Sequence, residues 1–168
     1  MYKKIFMIFI LSILLVFTGC GEEKNSTENN SISNKNNIII NDPQKALEEI
    51  YKDITIKGVE NGDKKFVTET LNIDESYFKK FYIKKTDGKY GVADIYIIEP
   101  TQGNSDKIVR ALTSFRDQRA LQFKDYNIYN SYEITQNAKI ITRGDYIIMI
   151  MVEDTETAEE ILKQYITV

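Results

Sequence analysis

The chain has 168 residues, 42% hydrophobic and 28% charged, with 22 basic and 25 acidic residues and a net charge of −3. A mildly acidic chain has no surplus of Lys and Arg to neutralise a phosphate backbone, which excludes nucleic acid as a partner. With no histidine and one cysteine it also lacks the usual general base, a Ser-His-Asp triad, disulfides and most transition-metal sites, so no cofactor or metal is expected.

Lys3 and Lys4 precede an apolar run from Ile5 to Phe17 that only Ser12 interrupts. A membrane-spanning helix needs about 20 apolar residues to cross a core about 30 Å thick. The run is too short for that and has the size of a secretory signal's apolar region. Phe17-Thr18-Gly19 then leads into Cys20, the only cysteine. These four residues resemble the bacterial lipobox, with Phe17 in place of the usual leucine. The resemblance implies cleavage before Cys20 and a diacylglyceryl group on its sulfur, anchoring the chain to the membrane's extracytoplasmic face. Removing residues 1 to 19 leaves 20 basic against 25 acidic residues, a net of −5. Such a chain has no polybasic patch for anionic lipid, so the acyl chains themselves are the expected membrane contact.

Gly21 to Asn41 are dominated by Asn, Ser, Glu and Lys and contain no aromatic residue. This stretch cannot bury enough apolar surface to offset its ordering entropy and is expected to be a disordered tether, about 25 Å end to end. Residues 42 to 168 are a suitable length for one domain with one core.

Asp42-Pro43 is a helix start, with a capping side chain followed by proline at the first helical position. Leu47, Ile50, Tyr51 and Ile54 recur at helical spacing behind it, predicting a helix over about 43 to 54. The stretch 57 to 73 is weakly patterned, with a turn of helix over Phe66 to Leu71. Asp74 caps a short helix through Lys79. Phe81 and Ile83 then alternate with Tyr82 and Lys84, and Asp87-Gly88 reads as a two-residue hairpin turn. The returning strand, Tyr90 to Glu99, places Ala93, Ile95 and Ile97 on one face and Asp94 and Tyr96 on a solvated or partly covered one.

Asn104 or Ser105 starts a long helix to about 126 with an apolar stripe that Arg119 interrupts, and the expected role of Arg119 is a stem lying over the core with its head in water. Ala138 to Thr142 and Tyr146 to Val152 form a second hairpin around Arg143-Gly144-Asp145. Its nearly all-apolar second strand should be central and covered on both faces. Asp154 or Thr155 caps a last helix whose Ala158, Ile161, Leu162 and Tyr165 point inward. The predicted fold is α+β: a four-stranded antiparallel sheet made of two hairpins, with helices packed on it.

The same ordering, with Phe123-Lys124-Asp125-Tyr126, Asn137-Ala138-Lys139-Ile140-Ile141, Gly144-Asp145-Tyr146 and the acidic helix start at Asp154, resembles a domain of unknown function numbered four-three-five-eight in that series. The resemblance spans roughly residues 42 to 165. It implies a small lipoprotein of low-GC Gram-positive bacteria, with no assigned catalytic residue to carry over. It also implies an accessory role beside membrane-bound O-acyltransferases that modify surface polysaccharides.

Without histidine, only carboxylate, lysine, serine and tyrosine chemistry remains. Ser76-Tyr77-Phe78-Lys79 matches the Ser-x-x-Lys of penicillin-binding proteins, but no Ser-Asp-Asn or Lys-Thr-Gly accompanies it. Asp94 with Glu99, or Glu153 with Asp154 and Glu156, could form a glycosidase pair or a calcium site only at separations that sequence does not fix. The remaining candidate is a binding surface formed by Tyr126, Tyr129 and Tyr132, in a chain with 11 Tyr and no Trp, together with Lys84 and Lys85. The bland alternatives are tyrosines padding the core edge and lysines guarding an edge strand. The expected function is therefore a non-enzymatic lipoprotein that binds an envelope protein or polysaccharide. The alternative is a small carboxylate-dependent envelope enzyme or acyltransfer component.

Overall fold

A computed structural model describes residues 41–168. Phe17, Thr18, Gly19 and Cys20, and the tether up to residue 40, lie outside the described residues. None of the described helices is long and apolar enough to cross a membrane.

Asp42 caps the first helix as its sequence dictates, accepting the Lys45 N–H at 3.0 Å with Pro43 at the first helical position. This helix, α1 (Pro43–Ile50), stops a turn before the predicted 54. Tyr51 instead turns onto the sheet, where its hydroxyl donates to the Ala93 carbonyl at 2.6 Å. The strands are β1 (Val59–Asn61), β2 (Phe78–Thr86), β3 (Asp94–Pro100), β4 (Lys139–Arg143) and β5 (Tyr146–Met151). Between β3 and β4 lie α2 (Ser105–Phe123) and α3 (Ser131–Gln136), and α4 (Thr155–Tyr165) closes the chain.

The sheet is antiparallel in the order β1-β2-β3-β5-β4. It therefore has five strands rather than four. The extra strand, β1, is three residues long and pairs with Lys84 to Thr86 at the edge; so short a segment shows no periodicity. The helix predicted behind Asp74 is only a single turn, Glu75–Tyr77, because Phe78 already belongs to β2. α2 ends at Phe123 rather than 126, and the short polar α3 follows it.

Helices cover both faces. On one side α1 and α4 pack over Ile95, Ile97, Ile148 and Ile150, each at most 1% exposed. On the other, Ile108, Leu112 and Phe123 of α2 pack over Tyr96, Ile98, Ile147 and Met149. All six residues of β5 are buried, as expected of a central strand. The same double cover corrects the reading of β3. Its Asp94–Tyr96 face is not solvated, since both residues are fully buried beneath α2.

The two hairpins differ in how they turn. The second turns at Gly144-Asp145 within the predicted Arg143-Gly144-Asp145, but Arg143 itself belongs to β4 and pairs with Tyr146. Gly144 has φ +53, and a Cβ there would collide with the Thr167 carbonyl oxygen. The left-handed backbone alone penalises an L side chain by about 1–2 kcal/mol. Gly144→Ala should thus lower the unfolding free energy by ~2 kcal/mol or more in urea titrations; a change within experimental error would show that the tail moves aside freely.

In the first hairpin Gly88 faces Gly91, so the turn is Lys89-Tyr90 rather than Asp87-Gly88. The ladder opens between β2 and that turn because the Thr86 N–H is taken by the Asp94 side chain, at 2.7 Å, instead of by a backbone carbonyl.

Candidate functional site

The seam where β2 and β3 part holds a buried polar cluster. Asp94 Oδ1 accepts from the Thr86 N–H and, at 2.8 Å, from its hydroxyl, while Oδ2 accepts from the Tyr96 hydroxyl at 3.1 Å. Arg119 reaches in from α2. Its Nη2 donates to the Thr86 carbonyl at 2.7 Å and lies 3.6 Å from Asp94 Oδ2, an ion pair without a direct hydrogen bond.

Both partners are buried, at 9% and 1% side-chain exposure, so the head of Arg119 points inward and not to water as expected. Its position follows from the helix: Arg119 stands one turn before Phe123, on the face that packs against the sheet, and its guanidinium lies 5.5 Å from that ring's centre. Gly88 makes room for it, since a Cβ there would sit 3.2 Å from both Arg119 Nη1 and Phe123 Cζ. Burial raises the Asp94 carboxyl above its ordinary value, and the Arg119 charge and the Thr86 and Tyr96 hydrogen bonds only partly offset this.

Next to this cluster, the end of the sheet opens into a groove of about 960 Å³. Its floor is Ile50, Ala93, Val152 and Ala158, all buried, and its sides carry the half-buried Ile54, Ile56, Ile134 and Ile161. Two tyrosines stand at its rim. Tyr90, in the Lys89-Tyr90 turn, is 37% exposed and Tyr129 is 75% exposed. The chain holds Tyr129 in the left-handed region (φ 47, ψ 48), and Asn130 follows at φ 57. An aromatic residue there costs about 1–2 kcal/mol.

The remaining rim is acidic. Asp53 follows α1, while Glu153 and Asp154 join β5 to α4. Asp154 caps α4, and the Thr157 hydroxyl and N–H donating to it hold its carboxyl below the usual range. Asp53 and Glu153 are exposed, and neither forms an ion pair among the described residues. Lys57, the one basic side chain lining the groove, lies against the Tyr90 ring at 5.8 Å.

The residues singled out in the sequence do not converge on this groove. Of the three tyrosines only Tyr129 lines it; Tyr126 is exposed, and Tyr132 faces a separate recess beside Arg116 and Leu121. Lys84 lies 5.4 Å from the Tyr51 ring on the α1 side of β2, and Lys85 packs on Phe66 and pairs with Glu60 on the opposite side. Adjacent strand residues point to opposite faces, which is why these two lysines cannot form one patch.

Asp94 and Glu99 are likewise split between the faces of β3, about 16 Å apart along the strand, and Glu99 pairs with Lys79 at 3.1 Å. That pairing also draws Lys79 away from Ser76, whose hydroxyl donates to Asp74. Among the described residues no group of three or more His, Cys, Asp or Glu is placed to hold a metal. The groove escapes sequence reasoning because its acidic residues lie about a hundred positions apart. Only Ile56, an apolar residue outside any periodic element, hints at it.

A family model described as "Domain of unknown function (DUF4358)" matches residues 52–152, more than half of the chain and all five strands. No curated protein and no solved structure matches.

Proposed function

We propose, on the premise that the chain belongs to the family of the domain of unknown function DUF4358, that it is a non-catalytic binding module. In this reading it is held at the outer membrane face by lipid on Cys20 and engages an envelope partner through the groove at the end of its sheet. The groove carries the proposal: a concave site of about 960 Å³ with an apolar floor, exposed tyrosines and two carboxylates, Asp53 and Glu153, without an ion-pair partner among the described residues. Support also comes from Asp94. This carboxylate, raised by burial, is sealed beneath α2 and engaged by Thr86, Tyr96 and Arg119, as suits a structural role.

The domain's first helix begins away from the groove. Asp42 donates its N–H to the Tyr165 carbonyl at the far end of α4, about 12 Å along α1 from the groove.

A photo-crosslinking amino acid at Tyr129 or Ile161 of the full-length chain, irradiated in its own membranes, should give discrete adducts. The same group at Lys80, exposed near the other end of β2, should give none. Adducts at Lys80 as strong as those at Tyr129, or none at either groove position, would exclude the groove as the binding site.

A further inference from the structure

Resting on the groove as the binding site, we infer that its occupant is a basic amphipathic peptide segment of a partner protein. Apolar side chains would lie on the floor and Lys or Arg at the rim. The floor and sides are mostly Ile, Val and Ala, with Thr55 and Thr157 among them. Beyond those two hydroxyls, of which Thr157 already donates to Asp154, this surface offers little to the hydroxyls of a glycan, whereas it suits aliphatic side chains, each buried methylene contributing about 0.8 kcal/mol.

Charge then selects among apolar ligands. Asp53, Glu153 and Asp154 outnumber the two lysines beside the rim, Lys57 and Lys89, and both of these are already stacked on Tyr90, at 5.8 and 5.3 Å from its ring centre. An acidic rim repels wall phosphates and anionic headgroups, and it attracts a cationic partner by steering and by contact. Asp53 and Glu153 are available for that contact because neither has an ion-pair partner among the described residues. Tyr129, 75% exposed, completes the fit, since an exposed aromatic face binds a Lys or Arg head as readily as an alkyl chain.

The test uses the full-length chain in nanodiscs of zwitterionic lipid, with empty discs subtracted. Three labelled probes are titrated: a dodecapeptide of Leu, Ile and Lys, its counterpart with Glu for Lys, and a neutral chitin hexasaccharide. The basic peptide should bind and weaken with added salt. The exposed double variant Asp53→Lys/Glu153→Lys, with unchanged melting, should bind it at least ~10-fold more weakly and should gain affinity for the acidic peptide.

Equal binding of the basic peptide to wild type and variant, or no binding of it at all, overturns the inference. Binding of the hexasaccharide in place of the basic peptide also overturns it, while leaving the groove as the binding site. Failure of the groove itself is read separately, from absent adducts at Tyr129 and Ile161.

Discussion

Arg119→Met should lower the unfolding free energy by about 3–5 kcal/mol at neutral pH, because removing one partner leaves Asp94 charged and uncompensated in the interior. Arg119 does more than neutralise. Its Nη2 ties α2 to the Thr86 carbonyl at the end of β2, and it lies directly under Gly88. The double variant Asp94→Asn/Arg119→Met should recover at least half of the loss. The introduced amide still offers an oxygen to the Thr86 N–H, and no charge remains buried.

The pH dependence has a fixed sign. Burial raises the Asp94 carboxyl in the folded state, so the native chain holds that proton more tightly than the unfolded one. Its contribution to stability therefore falls as pH rises from the ordinary carboxylate value, about 3.9, through the raised one. Losing Arg119 removes a stabiliser of the charged form, so the deficit of Arg119→Met should shrink as pH is lowered toward about 4. Urea titrations at several pH values test this. A deficit under about 1 kcal/mol, or one that does not change with pH, would mean the pair does not hold the seam.

Cys20→Ser should abolish lipid attachment altogether. In the proposed lipoprotein two acyl chains insert, and at about 0.8 kcal/mol per buried methylene they anchor far more firmly than a single chain does. Serine offers no sulfur for the diacylglyceryl group. Labelled fatty acid in the chain should drop to background, and intact mass should show residues 1–19 retained. A processed and labelled Cys20→Ser chain would exclude Cys20 as the lipidation site.

What the sequence revealed depended on how local each signal is. Asp42-Pro43, Gly144-Asp145 and the cap at Asp154 act within a few residues, and each sits where local chemistry predicts. The all-apolar run at Tyr146–Met151 announced a central strand on its own. Asp94 misled because a polar residue alternating with apolar ones signals water only if nothing covers that face; here α2 does, and Arg119 supplies the charge. The Lys89-Tyr90 turn was hidden by the more usual turn pair Asp87-Gly88 beside it, since the register is set by Gly88 opposite Gly91. The groove was least legible. Asp53, Tyr90, Tyr129 and Glu153 come from four separate segments that only the tertiary fold brings together.

The strand order also governs how the domain assembles. Each hairpin, β2–β3 and β4–β5, joins neighbours in the chain, whereas the β3–β5 pairing of Asp94–Ile98 with Ile147–Met151 spans about fifty residues. Closing so long a loop is slow, because its entropy must be lost before any contact rewards it. On a ribosome or emerging from a translocon, the first hairpin therefore waits with the inner edge of β3, Ile95, Ile97 and Ile98 included, open to strangers until the last quarter of the chain arrives. A nascent chain stalled within α2 would be the species a holding chaperone has most reason to bind.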